Sequence, residues 1–211
     1  MIPGRILAPA ILILLVIGGF NPARPDDSIQ SASPTFNEIG INRAKKGDFE
    51  GAVKAFTRAI SLDPNNAEAY QNRAIVRMNQ NLFNDAITDL NKAVELDPKN
   101  DRFYFNRGNA KKGARLFKEA IEDYSRTIEL KPRNFHAFNN RGNARRETGD
   151  LDGAMSDFDR AIELNPKDAG AYWNRSLLKK EKGDLEGFRL DRQKAVDLET
   201  EARSGAKTKI P

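Results

Sequence analysis

The stretch AISLDPNNAEAY, residues 59–70, decides the fold, because its first half returns down the chain. AISLDP (59–64) is followed by AVELDP (93–98), TIELKP (127–132) and AIELNP (161–166), so Pro64, Pro98, Pro132 and Pro166 stand 34 residues apart. A fixed period of this length marks a stacked repeat, in which one small unit buries its apolar face only against its neighbours. AVDLET (195–200) is a fifth copy with Thr200 in the proline's place. The repeats run 33–66, 67–100, 101–134, 135–168 and 169–202.

Working outward, each repeat carries two helices. Phe36, Tyr70, Tyr104, Phe138 and Tyr172 open the first. Four residues on, one turn along the same face, come Gly40, Ala74, Gly108, Gly142 and Ser176. A large side chain followed by a gap fits two helices that cross closely. The second helix answers with Ala52, Ala86, Ala120 and Ala154, then Phe56, Leu90, Tyr124 and Phe158. Gly47-Asp48, Gly149-Asp150 and Gly183-Asp184 supply a left-handed stop for one helix and an N-cap for the next. Asn66, Asn100, Asn134 and Asp168 cap the first helix of the following repeat, and each proline enforces the preceding helix end. Repeat three has Arg115 where the turn glycine belongs and Gly113 two residues earlier, which predicts an irregular turn. Repeat five puts Phe188 and Arg192 at the alanine and aromatic places and adds Arg189 and Lys194, which reads as a polar terminal cap.

This pattern resembles the tetratricopeptide repeat family over about 165 of the 211 residues. Tyr70, Ala74, Ala86, Leu90, Ala93 and Pro98 match the family's aromatic, small, alanine, aromatic, alanine, proline order, and so do Phe138, Gly142, Ala154, Phe158, Ala161 and Pro166. The resemblance implies an all-α, right-handed α-solenoid of five antiparallel helix pairs over residues 35–202. Its concave face, lined by first helices, would bind a peptide or another protein.

Two appendages flank this body. Arg5 precedes an apolar run from Ile6 to Phe20, read as a separate N-terminal apolar helix: residues 1–20 are a signal peptide or an N-terminal signal anchor. As a helix the run rises about 22 Å against a roughly 30 Å hydrocarbon core, which favours the signal peptide. The absence of an Ala-x-Ala triplet after it favours retention. In either case Arg5 stays inside, so the repeats are expected outside the cytoplasm, periplasmic, secreted or membrane-anchored. Residues 21–34 read as a linker and 203–211 as a basic disordered tail.

Three residue types repeat at the same period from repeat two onward. Arg73, Arg107, Arg141 and Arg175 accompany Asp89, Asp123, Asp157 and Asp191, and repeat one has neither, carrying Ile39 and Ala55. Presence or absence together predicts a salt bridge between first and second helices, worth about 0–1 kcal/mol each if partly exposed. Asn72, Asn106, Asn140 and Asn174 form the third ladder, with Asn109 and Asn143 one turn further along their helices. Asparagine costs about half a kcal/mol against alanine inside a helix, so something offsets it. Either the carboxamides clamp a peptide backbone with donor and acceptor together, or each bonds a neighbouring helix. The first reading resembles the asparagine ladder of the O-linked N-acetylglucosamine transferases. Phe105 and Trp173 are further groove candidates, with Lys111, Lys112, Arg145, Arg146, Lys179 and Lys180 as a basic rim for an acidic or amphipathic peptide. In the register of the family's chaperone-tail carboxylate clamp only Asn109 and Asn140 fit, so an acidic chaperone terminus is not the expected ligand.

Other function classes find little support. With His136 the lone histidine and no cysteine, a histidine triad could be built at most once, and His-rich metal sites and cysteine chemistry have too few residues to use. Residues 108–115 (GNAKKGAR) have P-loop glycine spacing without its lysine and hydroxyl. The chain reads as non-catalytic, with no cofactor and no small-molecule substrate, as an interaction module or assembly scaffold. The alternative is a nucleic-acid-binding repeat protein. Of the net charge of +5, residues 1–34 contribute zero and the tail from Thr200 +2, which leaves a body too weakly basic to favour it.

Overall fold

Ten helices follow one another without a strand among the described residues, which in this computed structural model are 32–207, with side chains described for 36–204. They are α1 (Ala32–Lys45), α2 (Phe49–Leu62), α3 (Ala67–Asn79), α4 (Phe83–Leu96), α5 (Asp101–Gly113), α6 (Phe117–Leu130), α7 (Phe135–Glu147), α8 (Leu151–Leu164), α9 (Ala169–Glu181) and α10 (Leu185–Lys207). Each odd helix pairs with the even helix after it, giving five pairs stacked in chain order as an α-solenoid. The odd helices also touch one another from repeat to repeat, α1 with α3 through α7 with α9. The stack therefore curves toward the odd layer, which lines its inner surface.

The core alternates as the sequence implies. Gly108 lies against the Tyr124 ring so closely that an added Cβ would stand 2.7 Å from it, and Gly142 meets Phe158 in the same way. Each junction is then closed by one residue of the next first helix: Val76, Ala110, Ala144 and Leu178 are buried against the preceding second helix.

All five turns inside the pairs share one geometry. The residue at the turn has positive φ, at Gly47, Asn81, Arg115, Gly149 and Gly183. The next N–H reaches back five residues, as in Leu116 N to Lys111 O at 2.9 Å. The irregular turn expected in repeat three is therefore absent: Arg115 accepts φ +62°. Gly113 answers packing instead, since a Cβ there would strike the Phe83 ring. Where the following residue is Asp48, Asp150 or Asp184 its carboxylate caps the next helix; Leu82 and Leu116 leave α4 and α6 without a side-chain cap.

Two boundaries shift. Helix α1 starts at Ala32, inside the expected linker, with Pro34 in a first turn whose N–H groups have no partner within the helix. Helix α10 runs on to Lys207, into the expected disordered tail, because Thr200 lacks the proline that ends the other second helices. The apolar run Ile6–Phe20 and the rest of residues 1–31 lie outside the described residues, and among those described no helix is long and apolar enough to cross a membrane.

Candidate peptide-binding surface

An ionic spine supports the inner surface from behind. In repeats two to five the guanidinium of the ladder arginine grips its aspartate in bidentate fashion. Arg107 donates from Nε to Asp123 Oδ2 at 2.9 Å and from Nη2 to Oδ1 at 2.6 Å. Arg73–Asp89, Arg141–Asp157 and Arg175–Asp191 repeat the geometry. The third nitrogen, Nη1, crosses to the previous repeat's second helix, to Thr57, Asn91, Ser125 and Asp159 in turn. The same guanidinium lies over the aromatic three residues before it, as Arg107 does over Tyr104 at 5.4 Å. One arginine thus ties its own second helix, its own first helix and the neighbouring repeat.

The predicted pairs exist in all four repeats, but they are more buried than expected, with the four aspartates only 3–5% exposed. A carboxylate so far out of water needs more than one cation, and each has two: Arg77, Lys111, Arg145 and Lys179 bond the second oxygen at 2.6–2.9 Å. At Asp191 burial pushes the pKa up, yet hydrogen bonds from Arg175 and Lys179 outweigh it and hold the carboxyl below its ordinary value. Lys111, Arg145 and Lys179 are therefore part of the spine, not of a basic rim. Their own 34-residue recurrence, four places after each ladder arginine, was the signal that identifies them.

In front of this spine the carboxamides divide. Asn72 Nδ2 donates to Asn37 at 3.1 Å and Asn174 Nδ2 to Asn139 at 3.0 Å, each reaching the preceding first helix. Asn140 Nδ2 donates to Asn109 Oδ1 at 2.9 Å, and the buried Tyr124 hydroxyl donates to that same oxygen at 2.9 Å. Lys112 Nζ adds a 3.4 Å contact to Asn140 Oδ1, which makes a continuous polar chain from core to groove. Burial lowers the Lys112 pKa, and the ammonium has no carboxylate partner among the described residues. Asn106 and Asn143 are half-buried and no partner for their side chains is found among the described residues. Gln71 holds the acceptor's place opposite Asn106, and its Oε1 is buried without a donor.

The aromatic candidates part company too. Phe105 leans into the core against Tyr124, ring centroids 6.0 Å apart. Trp173 stays 40% exposed at the end of the stack under the Arg192 guanidinium. Between α7 and α9 an open hollow of about 420 Å³ is lined by Arg146, Glu147, Leu177 and Glu181.

A curved stack of helix pairs, stiffened by ions within and polar along its inner surface, defines the class of solenoid scaffolds for protein–protein interaction. Residues 43–81 and 76–113 match the family described as TPR repeat, and 104–169 the one described as tetratricopeptide repeat, together more than half of the chain. The chain belongs to the tetratricopeptide repeat family. Among solved structures, MamA is 29% identical over 79% of this chain and 97% of its own, with a TM-score of 0.72. YrrB, described as a TPR protein with an unusual peptide-binding site, is 21% identical over 82% of this chain and 91% of its own, TM-score 0.67. PilF of Pseudomonas aeruginosa is 19% identical over 81% and 78%, TM-score 0.72. No protein of curated function matches the chain in sequence.

Proposed function

We propose that the inner surface holds an extended peptide segment of a partner protein, with Asn106 and Asn143 as the groups that take its backbone. The observation that carries this is the split among the carboxamides: Asn72, Asn140 and Asn174 are spent on neighbouring helices, whereas Asn106 and Asn143 keep donor and acceptor uncommitted. Asn109 and Asn140, bonded to each other and to Tyr124 and Lys112, hold α5 and α7 in register between the two free carboxamides. A carboxamide reads a peptide backbone irrespective of its side chains, which suits a scaffold that engages an unfolded segment. The peptide-binding site described for YrrB supports the same use of the fold.

The apolar run Ile6–Phe20 after Arg5 supports placing the repeats outside the cytoplasm, next to or released from a membrane. Capture from the native membrane fraction tests the binding surface. The intact chain and an Asn140→Ala chain are expected to retain partner in proportion to their folded fraction. An Asn106→Ala/Asn143→Ala chain is expected to lose it at an unchanged melting temperature. Equal capture by the double variant overturns the reading.

A further inference from the structure

At four junctions the second helix presents the same apolar face to the next first helix. Val53, Ile87, Ile121 and Met155 occupy one place on it, each packed in the cluster that closes the junction. The fifth second helix, α10, presents the corresponding face with no further helix packed on it among the described residues. Arg189 stands where those aliphatics stand, and Arg192 where Phe56, Leu90, Tyr124 and Phe158 stand.

A face meant only to be wetted would lose all its apolar residues, whereas this one, around its two arginines, keeps Leu185 and Val196. Leu185 and Val196 lie three turns apart on one side of α10, 57% and 46% exposed, and Trp173 is exposed beside them on α9. Arg192 lies over both Trp173, at 5.2 Å, and Phe188, at 5.7 Å, while Lys180 lies over Phe188 at 5.5 Å. Arg189, Arg192 and Lys180 have no carboxylate partner among the described residues, in a chain whose buried aspartates each have two cations.

We propose that the terminal face of α9 and α10 docks an acidic amphipathic helix of a partner protein, seated where the first helix of a sixth repeat would lie. Apolar residues of the incoming helix would cover Trp173, Phe188 and Val196, and its carboxylates would meet Arg189, Arg192 and Lys180. Charge complementarity selects the occupant. A repeat like the internal ones would bury two arginines without counterions, which is strongly unfavourable. A second copy offering α1 would bring Arg43 and Lys45 with Glu38 as that helix's one carboxylate.

The test uses the full chain and a synthetic 14-residue peptide, end-capped, with leucine and tyrosine along one helical face and glutamate on both flanks. Fluorescence anisotropy at low salt is expected to show saturable binding that weakens as salt rises. Affinity is expected to fall at least tenfold in an Arg189→Glu/Arg192→Glu chain, and also with a peptide whose glutamates are lysines. Arg189→Gln/Arg192→Gln, which keeps size without reversing charge, is expected to give an intermediate loss, with circular dichroism checking that each variant is folded. The Asn106→Ala/Asn143→Ala chain is expected to bind the peptide normally. Equal affinity for the charge-reversed chain, equal binding of the lysine peptide, or loss with the asparagine variant overturns the proposal. So does a dimer in sedimentation that the arginine reversal dissociates, since the face would then belong to a second copy.

Discussion

The ionic spine and the inner carboxamides share one 34-residue period and meet opposite ends. Behind the groove every ladder aspartate is buried and doubly neutralised, and its arginine ties three helices. In front of it the asparagines are half-buried, and only some are committed. Periodicity therefore reports that a residue matters in every repeat, not what it matters for. Charge provides the distinction: a buried carboxylate must be answered inside the protein, whereas a half-buried carboxamide can leave its bonds to a ligand or to water.

The comparison breaks most sharply at Asp123. Asp123→Ala leaves Arg107 and Lys111 facing each other without a counterion, and is expected to destabilise the chain by about 3–5 kcal/mol in urea unfolding. Of the two regions acid acts on the spine, because carboxamides do not titrate. Because the folded Asp191 carboxyl sits below its ordinary value, its contribution is complete above that value and disappears as pH falls through the depressed one. Melting temperature is thus expected to be flat from neutral pH to about pH 4 and to decline below it, unless Asp191→Asn removes part of that decline beforehand. Asn140→Ala removes the donor to Asn109 and the acceptor of Lys112, an expected cost of about 1 kcal/mol. Asn106→Ala, with no such bond, is expected to change stability by less than about 0.5 kcal/mol in the same assay, and equal costs at the two sites would erase the distinction.

Most of the fold was legible because its determinants are periodic and local. The prolines fix the length of the repeat, and the alternation of Tyr124 with Gly108 fixes the crossing of its helices. The regular turn at Arg115 was hidden because a backbone pattern shared by five turns overrode the preference of one residue. The extension of α10 to Lys207 followed from a missing stop, visible at Thr200 but read there only as a variant of the repeat. The site was legible in composition and not in assignment. Which of Lys111 and Lys112 faces the spine depends on a rotation of one residue about the helix, about 100°, and only the packed structure sets it. Likewise, Asn140 and Asn106 are equivalent by period and differ because Asn109 lies within reach of the first.

The most direct test of this division of labour is site-specific photocrosslinking in the native cell, with the reactive residue placed at Arg146, which lines the inner hollow between α7 and α9, or at Glu122, exposed on the second helix of repeat three. The account predicts a discrete partner adduct from position 146 and none from 122. An adduct from 122 with none from 146 would place the partner on the outer layer and contradict it.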